Sequence, residues 1–136
     1  MNKIIVATHG KMAEGLKSTL EFFGVDISNM DFLSCYCESN EDIKPILEAS
    51  FDSAEPGTAI IVFTDMLGGS VNTEVMQMMD RNNVHVISGF NLVLLLQLSL
   101  LQDCEDIDEI IRQSVEEAKQ GLVYVNDLAL ACDFDE

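Results

Sequence analysis

Apolar residues along this chain follow two alternating rhythms. Residues 3–7 and 58–63 ("TAIIVF") are almost unbroken apolar runs, as expected of strands covered on both faces. Residues 31–37 and 84–88 are two further runs of strand character. Between them the period lengthens. Residues 11–23 place Met12, Leu16, Leu20 and Phe23 at spacings of four, four and three, one face of a helix stopped by Gly24. Ser39, with Asp42 three residues on, resembles the N-cap of a helix holding Ile43, Ile46, Leu47 and Phe51. Ser70 caps a third helix, running to about Asp80. Residues 92–101 are apolar almost all round and predict a buried helix. Residues 107–120 carry Ile107, Ile110, Ile111 and Val115 on one face, before Gly121.

Strand and helix thus alternate four times, which predicts an α/β domain with a mainly parallel four-stranded sheet and helices on both faces. Residues 122–125, with Leu122, Val123 and Val125, read as a short fifth strand. Residues 126–136 show no period and read as an acidic tail beyond a single domain spanning 1–125.

The opening run ends abruptly in "ATHGK", which puts His9 at the mouth of the first strand beside Gly10. Ligands of parallel sheets gather at the carboxyl ends of strands, where strand order reverses. His9, Asp65 and Gly89 all follow strands at that edge. In a 2-1-3-4 order the first and third strands are neighbours, so Asp65 can accept a hydrogen bond from one ring nitrogen of His9. The other nitrogen is then left as a nucleophile. In "DMLGGS", Gly68 and Gly69 allow a tight turn, and Ser70 opens a helix whose first N–H groups suit a phosphoryl group. No Walker A or G-x-G-x-x-G pattern is present, and no G-x-S-x-G elbow supports a hydrolase. His85 lies inside the fourth strand between Val84 and Val86 and reads as structural.

Composition narrows the partners. Twenty-four acidic residues against seven basic ones give a formal net charge of −17, which disfavours nucleic acid and anionic membranes and favours a basic protein partner. The longest apolar run is half the roughly 20 residues of a membrane span. With no signal peptide in view, the expected location is cytoplasmic. Cys35 and Cys37 lack the C-x₂₋₄-C spacing of a zinc site, so no metal is expected, and both would face the same side of a strand as free thiols. Cys104 and Cys132 are isolated.

Three segments together, "HGKMAEG" from His9, "DMLGGS" from Asp65 with Asn72, and "GFNL" from Gly89, resemble the mannose-family enzyme IIA of the bacterial sugar phosphotransferase system. The resemblance spans roughly residues 1–125. It implies that His9 accepts phosphate from the phosphocarrier HPr and passes it to a separate IIB subunit serving membrane IIC and IID subunits. It implies Asp65 as the support of the ring, with no cofactor. Thr8, Gly10, Gly68, Gly69 and Ser70 are the expected phosphoryl-binding positions. It also implies a homodimer that exchanges the fifth strand antiparallel. A regulatory protein switched by phosphorylation of His9 is the alternative function. Val71 and Val93 stand where the family commonly has proline.

Overall fold

The computed structural model describes residues 2–37, 41–81, 83–101 and 106–132. Four strands, β1 (Lys3–His9), β2 (Met30–Cys35), β3 (Ile60–Thr64) and β4 (Val84–Ser88), form one parallel sheet in the order 2-1-3-4. Helices α1 (Met12–Phe22), α2 (Lys44–Asp52), α3 (Ser70–Met76), α4 (Leu92–Ser99), α5 (Ile107–Lys119) and α6 (Val125–Cys132) complete the described elements. The chain leaves β1 towards one side to build β2 and returns across β1 to build β3. The switch point therefore lies between β1 and β3.

Side-chain alternation divides the interior in two. Ile4 and Val6 of β1, with Ile61 and Phe63 of β3, join one core under α1, α4 and α5. Ile5 and Ala7, with Ile60 and Val62, join the other under α2 and α3. Each fully buried Ile or Val of the central strands contributes about 1.5–3 kcal/mol, and both faces draw on β1 and β3. The unbroken apolar runs follow from this two-sided burial.

Several expectations are corrected. The face that α1 buries contains Ala13 and Leu20, with Leu16 against the core, whereas Met12 and Phe23 are about half exposed. A small alanine at the sheet lets the helix approach closely, and that turns the larger apolar groups outward. Cys35 ends β2 and is buried, but Cys37 is exposed, because Tyr36 takes a left-handed backbone and breaks the alternation. Helix α3 ends at Met76 and continues as turns. Helix α4 buries Leu94, Leu95 and Leu98 but exposes Val93, so it is one-sided.

Residues 122–125 form no strand. Leu122, Val123 and Tyr124 are exposed to solvent, Leu122 being 89 % exposed, and Val125 begins α6. A strand needs a neighbour's N–H and C=O groups, and this chain brings no edge to them. Residues assigned to an aperiodic tail thus include most of a helix. Ser39, Cys104 and the tail beyond residue 132 lie outside the described residues. No helix among the described residues is long and apolar enough to cross a membrane.

Candidate functional site

Parity along β1 explains why neighbouring residues do different work. Thr8 shares the phase of Ile4 and Val6 and points to the α1 face. There its Oγ1 accepts the Ala13 N–H at 2.9 Å, serving one of the unpaired donors of the helix start. Thr8 is fully buried, so its hydroxyl holds the loop and is not presented beside the ring. His9 has the phase of Ile5 and Ala7 and points to the α3 face, where Ser70 begins its helix. Gly10 turns the chain with φ +58° and donates its N–H to Cys35 O at 2.7 Å, tying the end of β1 to β2.

Because Ala7 pairs with Thr64, the residue after β3 arrives beside His9. Asp65 Oδ2 accepts the His9 backbone N–H at 2.8 Å and faces His9 Nδ1 at 2.8 Å. Its Oδ1 accepts the Met66 N–H at 3.0 Å. Burial, the largest influence, would raise the Asp65 pKa. The backbone and ring hydrogen bonds from His9, with the charge on that ring, outweigh it and hold the carboxyl below its ordinary value. An ionised carboxylate can only accept, so Nδ1 carries the proton. In the neutral ring Nε2 then carries the lone pair and can accept from Ser70 Oγ, 3.0 Å away. The His9 side chain is 38 % exposed against 12 % for Asp65, so the carboxylate is covered while the ring is partly open.

The turn after β3 is built to approach the ring. Gly68 has φ +81°, a conformation costly for any residue with a Cβ. A Cβ on Gly69 would lie 3.3 Å from His9 Cε1 and 3.0 Å from Met66 Cγ, so only glycine fits without displacement. The Gly69 N–H is used within the turn, on Met66 O at 3.2 Å, which leaves the next N–H groups of α3 as the available donors. Beneath them, Asn72 is buried and accepts from the Thr64 hydroxyl at 2.8 Å, locking α3 to β3. Val71 is fully buried in the second core.

A family model described as the PTS system fructose IIA component matches residues 3–115. The chain belongs to that family. It is a IIA-type component of the sugar phosphotransferase system. Among solved structures, it is similar to a sugar phosphotransferase system permease from Klebsiella pneumoniae, with 28 % identity, 94 % of this chain and 93 % of the other covered, and a TM-score of 0.83. A IIA protein associated with the fucose utilization operon of Streptococcus pneumoniae aligns at 25 % identity over 94 % and 96 % of the two chains, with a TM-score of 0.78. A mannose/sorbose-specific IIA subunit from Enterococcus faecalis, at 20 % identity, 90 % and 93 % coverage and a TM-score of 0.76, shares the fold. No curated protein sequence matches the chain.

Two neighbours of His9 were not foreseen. Cys35 is buried beside it, and burial, reinforced by the carboxylates of Glu41 and Asp65 and by Cys37, pushes its thiol up to about 11. At neutral pH that shift favours the protonated, unreactive form of the thiol. Tyr36 places its ring 5.6 Å from that of His9. The β1–β2 register alone could have announced Cys35, but nothing in the sequence announced the backbone of Tyr36. His85 is elsewhere: its Nδ1 meets Asp108 of α5 at 3.1 Å and its Nε2 meets Asn83 at 3.0 Å, bracing the edge strand.

Proposed function

We propose that this IIA component carries a phosphoryl group on His9 Nε2, taken from phospho-HPr and surrendered to a separate IIB subunit. One observation carries the reading: Asp65 occupies Nδ1, so the open nitrogen is the one with the lone pair. In the step, that lone pair forms the new N–P bond as the N–P bond of the donor phosphohistidine breaks. The donor imidazole keeps the electron pair of the broken bond. The proton on Nδ1 stays between His9 and Asp65, which stabilises the cationic ring. Ser70 Oγ, which donates to Nε2 before transfer, can swing to a phosphoryl oxygen. The N–H groups of Ser70 and Val71, at the first turn of α3, are suited to the other oxygens.

The open ring edge and the −17 charge favour brief docking of a basic protein over capture of a small substrate in a deep pocket. The same geometry serves IIB, which delivers the group towards the membrane IIC and IID subunits. Incubation with phosphoenolpyruvate, enzyme I and HPr, followed by tandem mass spectrometry under alkaline conditions, tests the assignment. Phosphate on His9 is expected. Phosphate on His85, or none on His9 with competent HPr, overturns it.

A further inference from the structure

Tyr36 has a backbone that its side chain should avoid. It adopts φ +59°, a region where a Cβ crowds the peptide and which bulky residues rarely enter. The surroundings enforce it. Cys35, one residue earlier, is in register with His9, and its carbonyl accepts the Gly10 N–H at 2.7 Å. The Tyr36 N–H is held by Glu41 Oε1 at 2.6 Å. Pinned on both sides, the left-handed residue sends its ring back across the strand end. There it lies tilted 32° to the His9 ring with centroids 5.6 Å apart. A turn needing only this backbone would be met more cheaply by glycine or asparagine, so the phenol ring is what the strain retains.

We propose that Tyr36 is a positioning residue for His9. Its ring limits rotation of the imidazole, keeps Nε2 pointed outward, and offers a π-face to the ring when it becomes cationic during transfer. This rests on His9 being the phosphoryl acceptor. Tyr36 also touches the second core, so a packing role alone would predict lost stability with an unaltered site.

Tyr36→Phe, Tyr36→Leu and Tyr36→Gly in the full chain separate the two roles. The His9 ring-proton signals should move in the Leu and Gly variants, since the ring current is lost, but not in Phe. Transfer from phospho-HPr should keep its KM while kcat falls on the order of tenfold in Leu and Gly, with Phe near wild type. Glycine relieves the strained backbone, so its denaturation midpoint should exceed that of Leu although both transfer slowly. Ring signals unmoved in Tyr36→Leu, wild-type kcat in both truncated variants, or a defect wholly in KM would each overturn the proposal. If wild-type protein accepts no phosphate, the acceptor reading fails instead, and the ring signals alone decide whether Tyr36 holds His9.

Discussion

One carboxylate oxygen joins His9 twice: Asp65 Oδ2 lies 2.8 Å from both the backbone N and Nδ1 of His9. The backbone bond fixes where the side chain starts, and the ring bond fixes how it turns. Main chain and imidazole are thus oriented by a single atom from the neighbouring strand.

Replacing that atom's charge tests this arrangement. In Asp65→Asn an amide can present N–H to the ring and select the wrong tautomer, as well as removing support for a cationic ring. The protein should fold normally and transfer phosphate about 10²–10⁴-fold more slowly. Wild-type rates of phosphorylation would reduce Asp65 to a loop residue.

Acid should dissolve the same link. The Asp65 pKa is depressed in the folded chain, so its contribution to stability is complete above the ordinary carboxylate value. It is lost as pH falls through the folded one. Thermal midpoints should therefore decline below about pH 4, and Asp65→Asn should decline less over that interval. Parallel profiles for the two proteins would contradict the linkage.

Gly69 tests steric approach without charge. Its φ of −70° suits alanine, so Gly69→Ala adds only the Cβ that meets His9 Cε1 and Met66. Transfer should slow on the order of tenfold with stability little changed, since small misplacement of reacting groups is costly. Equal rates would mean that the ring yields freely.

The two described thiols should react unequally. With Cys35 raised to about 11 and buried, and Cys37 exposed, iodoacetamide at pH 8 should alkylate Cys37 in the native protein and spare Cys35. Peptide mapping reads the pattern directly. Early modification of Cys35 would show that its burial does not protect it.

Assembly is tested by the apolar segment that the single chain leaves uncovered. Leu122, Tyr124 and Val125 are 89 %, 68 % and 64 % exposed, and β4 ends the sheet without an outer neighbour among the described strands. We expect a homodimer in which this segment is buried by the partner. Light scattering at micromolar concentration should give twice the monomer mass, and deleting residues 121–136 should give monomers or aggregates. A monomeric intact protein defeats the expectation.

The sheet was legible because β1 and β3 are buried on both sides, which leaves unbroken apolar runs. The meeting of His9 and Asp65 was legible because they stand at the ends of adjacent strands, so topology alone brings them together. The inward direction of the Thr8 side chain was there to be read from its phase with Ile4 and Val6. The face of α1 and the state of residues 122–125 were less accessible. Helix orientation depends on how closely Ala13 lets the backbone approach, and an apolar run after a glycine becomes a strand only if an edge receives it. Tyr36 was hidden because its backbone is imposed by Glu41 and Gly10, not by its own preference.

The opposed directions of Thr8 and His9 set which sequence changes this domain can tolerate. The strand β1 cannot gain or lose one residue. Such an insertion or deletion would exchange the threonine and the histidine between the two faces, burying the imidazole under α1 and stranding the hydroxyl beside Asp65. Length variation among homologous chains should therefore be confined to the connections, with the seven residues of Lys3–His9 held to constant count.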